Sequence, residues 1–227
     1  MHSVMTREAA TVLGVSQRQV TGLLRAGKLD GEQLRDGTWL VTPRSLSERK
    51  SLGARSGRSW SSSSSWALLG ELSGLAAAGM SQSTRDRIKR RIRTCSAEEI
   101  ARNVMTRATS HQFTADSLST TARSLILTGS SAAELVDSNL TKDLRKVEGY
   151  LRSGTLEEFV RQQLLTPDDE GDVIIYDRFD MQHRSGDYAS KAVIAADLAR
   201  SANTRERSAA LVALEEMRQR WLVQHTK

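Results

Sequence analysis

A segment with one apolar stripe, Thr6–Lys28, constrains the fold of this chain more than any other stretch. Its apolar residues recur at helical spacing on both sides of a glycine, at Ala9, Ala10, Leu13, Val20, Leu23 and Leu24. Gly14 lies where the first helix must reverse, and glycine enters the left-handed region without steric cost. Ser16 is the expected N-cap of a second helix that begins at Gln17. The segment therefore predicts two short helices that pack through a shared stripe.

The segment after this helix pair indicates a hairpin and a third helix. Two short runs, 31–34 and 38–41, flank Arg35-Asp36-Gly37, and Asp-Gly is a strong signal for a two-residue hairpin turn. Thr42-Pro43 then combines an N-cap with proline at the first helical position. The order helix, helix, hairpin, helix resembles the winged helix-turn-helix of excisionase and MerR-type regulators. The resemblance implies a DNA-binding domain over residues 1–50, and docking to a protein is the alternative use of the same fold.

In a fold of this kind the second helix reads DNA and the hairpin is a wing. The side chains expected to contact DNA are Ser16, Gln17, Arg18, Thr21, Arg25, Lys28, Arg35 and Arg44. Ser16 and the amides of the first helical turn would bind a phosphate. Gln17, Arg18 and Thr21 would lie in the major groove, where Arg prefers guanine and Gln adenine. The remaining cations would neutralise phosphates, with Arg35 on the wing reaching the neighbouring minor groove or the backbone.

Charge is distributed unevenly along the 227 residues, whose formal net charge is +6. Residues 1–66 hold ten Lys/Arg against five Asp/Glu, and residues 81–109 hold eight against three, whereas the rest of the C-terminal half is mildly acidic. This charge distribution favours DNA as the partner of the N-terminal part of the chain and a different partner for the C-terminal part. The basic helix expected around Arg85–Arg93 fits three roles, which are a second DNA-facing surface, a docking face for an acidic partner and a solvated face.

Cysteine and histidine are too sparse for a metal or disulfide framework. Cys95 stands alone, which fits a reducing cytoplasm, and the four histidines show no metal-ligand spacing. We therefore expect no cofactor and no metal. No apolar run approaches membrane-spanning length, so we expect a cytoplasmic protein that does not contact a membrane.

The remainder of the chain predicts a linker and a second domain. Residues 51–65 are rich in Ser, Gly and Arg, which is typical of a flexible linker. Residues 66–227 begin with a helix and later show a strand at 145–151, an amphipathic helix at 155–163, a strand at 173–176 and helices at 190–200 and 204–223. The fold class is thus α+β and mainly helical, with the winged helix-turn-helix followed by a larger α+β domain whose small sheet is covered on one side.

Short patches of this second domain carry a further resemblance. The patches are Trp66–Leu69 through Gly74, the basic helix, Leu127–Ala133, Val147–Leu151, and Asp187–Ser190 with Val193–Leu198. Together they resemble actinobacterial relatives of the AbiEi antitoxins, although serines replace an expected proline-containing stretch in the linker. The resemblance implies an antitoxin that neutralises a cognate nucleotidyltransferase toxin and represses its own operon. An inverted-repeat promoter bound by a homodimer is then expected, and the alternative is an excisionase-like or MerR-like regulator without a toxin.

Two segments hold residues that an enzyme could use. Gly129-Ser130 is followed by Asp137 and Asn139, which resembles the nucleotidyltransferase motif except that Asn139 replaces the second carboxylate and the gap is shorter, so a metal would bind poorly. The stretch 177–186 contains His183 but no neighbouring nucleophile, which favours a solvated loop. We therefore expect no catalytic residues and no enzymatic activity, and a nucleotidyltransferase is the weaker alternative.

Overall fold

The chain contains helices and short strands, and the computed structural model describes residues 4–52, 60–75 and 80–225. The fold is mixed α and β, in agreement with the coarse class that the sequence predicts. The first unit, residues 4–52, consists of β1 (Val4–Met5), α1 (Thr6–Leu13), α2 (Gln17–Arg25), β2 (Gly31–Gln33), β3 (Trp39–Val41) and α3 (Pro43–Leu52).

The predicted helix pair is confirmed, and its turn has the expected chemistry. Gly14 adopts φ 65°, in the left-handed region that favours glycine, and ends α1. The hydroxyl of Ser16 accepts a hydrogen bond from the Gln19 amide, and the Gln19 side chain accepts one from the Ser16 amide at 2.9 Å. This capping box satisfies two amides at the start of α2. Buried Val20 and Leu24 then pack against α1 in a small apolar core.

The hairpin is confirmed in position but not in turn type. β2 pairs antiparallel with β3, and the Leu34 amide donates to the Thr38 carbonyl oxygen at 2.8 Å. The loop thus holds three residues rather than two, with Gly37 at φ 85° in its last position. β1 adds a third strand on the far side of β3, and this strand was not expected from the sequence. It fixes the start of the chain against the hairpin.

The second unit, residues 60–225, places helices on a seven-stranded sheet. Its elements are α4 (Ser62–Leu72), α5 (Gln82–Thr94), α6 (Ala97–Val104), β4 (Ser110–Thr114), α7 (Leu118–Arg123), β5 (Leu125–Leu127), β6 (Val147–Leu151), α8 (Leu156–Gln162), β7 (Thr166–Pro167), β8 (Val173–Tyr176), β9 (Arg184–Ser185), β10 (Tyr188–Ala189), α9 (Lys191–Leu198) and α10 (Thr204–Gln224). Short 3₁₀ helices cover Met105–Arg107, Gly129–Leu135 and Met181–His183.

The sheet is covered on both faces, which corrects the expectation of a single covered face. The strand order is β7-β4-β8-β6-β5-β10-β9, with β6 and β8 parallel at the centre. Along β8, Ile174 and Tyr176 belong to the large core beneath α4, α6, α9 and α10. Val173 and Ile175 belong to a smaller core beneath α7 and α8. This alternation follows from the two-residue period of a strand.

The end of the predicted linker needs correction. α4 begins at Ser62, so the last serines of the predicted linker are helical, while linker residues 53–59 lie outside the described residues. α4 is buried on nearly all sides because α5, α6, α9 and α10 surround it. The segment 129–135 after β5 forms a 3₁₀ helix.

Gly149 on the central strand β6 provides a test of this packing. An added Cβ would lie 2.8 Å from the Ile126 carbonyl oxygen and 2.9 Å from Leu125 Cβ. We expect Gly149→Ala to lower the free energy of unfolding by ~1–3 kcal/mol, because a packed core resists added volume. The measurement is urea unfolding followed by tryptophan fluorescence.

The matched control is Gly22→Ala in α2, where an added Cβ would meet nothing within 4 Å. Alanine favours a helix interior over glycine by roughly 0.5–1 kcal/mol, so this variant should be slightly more stable than the parent. Equal unfolding curves for Gly149→Ala and the parent would contradict the close contact between β5 and β6.

Candidate functional site

The outward face of α2 gathers most of the side chains that the sequence singled out. Ser16, Gln17, Arg18 and Arg25 are exposed, and Thr21 is half-buried between them. The opposite side of the helix is anchored in the core of the first unit. The result is a rigid helix that presents hydrogen-bonding groups to solvent.

Gln17 and Arg18 differ in how they are held. The Gln17 side-chain amide donates to the hydroxyl of buried Thr6 at 2.8 Å, which ties α2 to the start of α1. Arg18 forms no hydrogen bond or ion pair with any residue in the described part of the chain. One side chain is therefore oriented in advance, and the other is available to a ligand.

Three cations lie at the end of α2 and on the hairpin. Arg25 stands exposed in the last turn of α2, and Arg35 stands exposed in the hairpin loop. Lys28 is half-buried just after Gly27, whose φ of 61° ends the helix region. The first unit thus carries cations at the helix end and on the hairpin.

Arg44 does not belong to this surface, which corrects its assignment as a phosphate contact. Its guanidinium donates to Glu48 at 2.7 Å and to the Tyr176 hydroxyl at 3.1 Å, and it lies 3.5 Å from a Glu148 oxygen. The side chain is only 19% exposed. Arg44 therefore faces the second unit, where its charge is already paired.

Arg44 is one of five side chains that join the two units, which we call the junction cluster, namely Arg44, Glu48, Glu148, Tyr176 and Arg200. Arg200 donates to one Glu48 oxygen from Nε at 2.8 Å and from Nη2 at 2.5 Å. Its guanidinium also lies 5.0 Å from the centre of the Tyr176 ring. Each charged member of the cluster has an opposite charge beside it.

The charges of the two arginines keep Glu48 ionised. Burial alone would raise the pKa of Glu48, but the positive charges of Arg200 and Arg44 together hold this pKa below its ordinary value. Burial raises the pKa of Tyr176 well above its usual range, so its hydroxyl stays protonated and donates to Glu148 at 2.6 Å. None of these carboxylates is left as a free base.

A polar cleft of about 760 Å³ opens beside the junction cluster and is lined by both units. Its acidic lining residues outnumber its basic ones, and the two carboxylates that belong to the cluster are paired with arginine. Sequence reasoning missed this site. The only local signal is the spacing of Arg44 and Glu48, four residues apart on one helix, because their other partners lie over a hundred residues away.

Residues of the nucleotidyltransferase-like motif are separated by the fold. The Ser130 amide and hydroxyl donate to Glu148 at 2.9 and 3.0 Å, and an added Cβ on Gly129 would lie 2.3 Å from that carboxylate. Asp137 instead accepts from the backbone and side chain of Asn139 in a local turn. Within the described residues, no group of three or more His, Cys, Asp or Glu side chains could hold a metal ion.

The basic helix is confirmed as α5, with Ser81 as its N-cap. The Arg91 guanidinium lies 4.3 Å from the centre of the Trp60 ring. Arg87 and Arg90 are exposed and form no ion pair with the described residues. Part of the helix therefore packs against an aromatic side chain and part faces solvent, and its role stays a prediction.

No protein-family model, curated protein or solved structure matches the chain. In the described part of the chain, no helix combines the length and the apolar content that crossing a membrane requires.

Arg44→Ala tests the corrected assignment of Arg44. Removing one partner of a buried ion pair leaves the other charge buried without a partner, which lowers the free energy of unfolding by about 3–5 kcal/mol. We expect a loss of stability of about 3 kcal/mol in urea unfolding, while Lys50→Ala, which removes an exposed cation of the same helix, should change little. Unchanged stability of Arg44→Ala, with weaker binding to DNA, would restore its role as a phosphate contact.

Asp30, just before β2, gives the junction a dependence on pH. Burial is the main cause that raises the pKa of Asp30 to about 6. The negative charges of Glu48 and Asp177 raise this pKa further, and the positive charges of Arg200 and Arg44 lower it. A carboxyl whose pKa is raised by folding disfavours the folded state once it ionises. Stability from this group is therefore lost as pH rises from about 4 to 6.

Asp30→Asn should remove this loss. The free energy of unfolding of the variant, relative to that of the parent, should increase between pH 4 and 7 by roughly 2–3 kcal/mol. The reason is that each unit by which folding raises the pKa corresponds to about 1.4 kcal/mol. Urea unfolding at four pH values measures the difference. A difference that stays constant with pH would show that Asp30 has its ordinary pKa in the folded protein.

Proposed function

We propose that the first unit is a winged helix-turn-helix that binds double-stranded DNA through α2, and that the chain is an antitoxin acting in the cytoplasm. The observation that carries the DNA-binding part is the exposed face of α2. Gln17 and Arg18 lie at the start of a helix whose other side is fixed in a core, and Arg18 has no partner among the described residues. A helix held in this way fits the major groove.

The side chains on α2 suit direct contact with bases. Gln17 uses one N–H to bind Thr6, which leaves its second N–H and its carbonyl oxygen for an adenine edge. Arg18 has its full guanidinium available for the two acceptors of a guanine. The neighbouring Thr21 hydroxyl donates to the backbone carbonyl oxygen of Gln17, so the Thr21 side chain packs against the helix. Thr21 would contact the base edges mainly through its methyl group.

The surrounding groups suit phosphates. Amides at the N-terminus of α2 point out of the helix, where the helix dipole favours an anion. Arg25, Lys28 and Arg35 would approach the backbone from the helix end and the hairpin. Arg44 is not part of the proposed contact, since its charge is paired in the junction cluster.

The antitoxin part of the proposal rests on the resemblance of residues 66–198 to AbiEi relatives. In this proposal the second unit neutralises a nucleotidyltransferase toxin, and a homodimer represses the operon from an inverted repeat. Co-expression with the adjacent gene tests it, and rescue of growth is the expected result. Operator binding without rescue would instead favour an excisionase-like or MerR-like regulator.

Arg18→Ala tests the proposed recognition helix. Loss of a bidentate contact to guanine should weaken binding to the chain's own promoter by ~1–3 kcal/mol and relax sequence preference at about one base pair. Fluorescence anisotropy at fixed salt with promoter variants measures both effects. Arg161→Ala, which removes an exposed cation from α8, is the matched control and should bind as the parent does. Equal promoter affinity of parent and Arg18→Ala would remove α2 from the interface.

A further inference from the structure

A second cleft, of about 580 Å³, lies in the second unit between the segment around β9 and β10, the end of α4, and helices α9 and α10. We propose that Ser190 is a nucleophile activated by His183 and that this cleft takes acyl esters that bear a negative charge. The proposal concerns an activity separate from DNA binding. It rests on hydrogen bonds, the shape of the cleft and the charge of its lining.

The first observation is a nucleophile beside a base. His183 Nδ1 lies 3.0 Å from the Ser190 hydroxyl oxygen, and both residues are buried, although each lines the cleft. The burial of His183 departs from the expected solvated loop, although the rest of the stretch 177–186 is exposed or half-buried. Ser190 follows His183 by seven residues, and the turn that joins β9 to β10 folds the two together.

The second observation concerns the state of the imidazole. The Ser73 hydroxyl donates to the Ser190 oxygen at 3.1 Å, so the proton of the Ser190 hydroxyl is left to donate to His183 Nδ1. Nδ1 is then the acceptor, which is the tautomer that a general base needs. Burial is the main cause that lowers the pKa of His183. The negative charge of Asp180 raises this pKa, and the positive charge of Arg107 lowers it. The ring is therefore neutral at pH 7.

The third observation is that Ser190 does not cap its own helix. It occupies the N-cap position of α9, yet its hydroxyl makes no cap hydrogen bond. The hydroxyl is held by His183 instead, and the Ser73 hydroxyl donates to it at 3.1 Å. Amides in the first turn of a helix have no partner within the helix, so they remain as donors beside the hydroxyl. Such donors stabilise the oxyanion of an acyl-transfer transition state.

The lining of the cleft indicates the class of substrate. Leu72, Ile194 and Met217 contribute apolar walls. The charged side chains among its described lining residues are all basic, and they are Arg184, Lys191 and Arg220. An acyl chain would contact the walls, and a carboxylate or phosphate on the same molecule would meet the cations.

The reaction balances without an added oxidant or metal. The Ser190 oxygen attacks the ester carbonyl carbon while His183 Nδ1 takes the hydroxyl proton. The bond from carbon to the alcohol oxygen breaks, and the alcohol leaves with that proton. Water then repeats the attack on the acylated serine with the help of His183, which releases the carboxylic acid and restores the serine.

The test uses the full chain and a fluorophosphonate, whose phosphorus bonds to the oxygen of an activated serine as fluoride leaves. Intact mass and peptide mapping should locate one adduct at Ser190. The adduct should be absent in Ser190→Ala, form at least tenfold more slowly in His183→Asn, and form at the parent rate in Ser185→Ala, which removes an exposed serine that also lines the cleft. Labelling should rise with pH to a plateau with a midpoint below 6.5, because the base must be neutral.

Substrate class is tested with two chromogenic esters of similar acyl length. The mono-4-nitrophenyl ester of glutaric acid should be hydrolysed faster than neutral 4-nitrophenyl butyrate, and Lys191→Ala should reduce this preference. Absence of an adduct at Ser190 in the folded parent protein would overturn the proposal and leave the hydrogen bond as a purely structural link. An adduct without a preference for the anionic ester would overturn the substrate assignment.

Discussion

The burial of paired charges between the first and second units determines how this chain is arranged. α3 contributes Leu46 to the apolar core of the first unit and Arg44 and Glu48 to the junction cluster, so one helix serves both units. Charges taken out of water must keep their partners, because a stranded ion costs several kcal/mol. The carboxylates and guanidinium groups can be satisfied together in only a narrow range of positions. The helix pair therefore cannot turn freely on the second unit.

A second buried network fixes the interior of the second unit in a similar way. Asp197 on α9 accepts hydrogen bonds from Arg107 at 2.5 Å, Thr128 at 2.8 Å and Tyr150 at 2.9 Å. It therefore connects α9 to the sheet and to the segment after α6. Because Tyr150 also packs against Tyr176, the network adjoins the junction cluster. Polar groups thus define the positions of elements that apolar packing alone would hold less specifically.

Local sequence signals predicted the local structure well, and long-range contacts explain what they missed. The glycine turn at Gly14, the cap at Ser16 and the helical stripes depend on neighbours a few residues away, which the sequence displays directly. The strand order of the sheet, the pairing of Arg44 and the contact between Ser190 and His183 depend on how distant segments meet. The serines before Trp66 show the limit of composition, since residues typical of a linker here cap and enter a buried helix.

The distance along the chain between Glu48 and Arg200 has a consequence for biosynthesis. The two residues are 152 positions apart, so the guanidinium that completes the pair is made long after the carboxylate. Domains fold from the N-terminus as a chain emerges from the ribosome. The helix pair can assemble around its own small core early, with Glu48 hydrated and paired only to Arg44. It becomes fixed in orientation only after Arg200 has been translated and has reached Glu48.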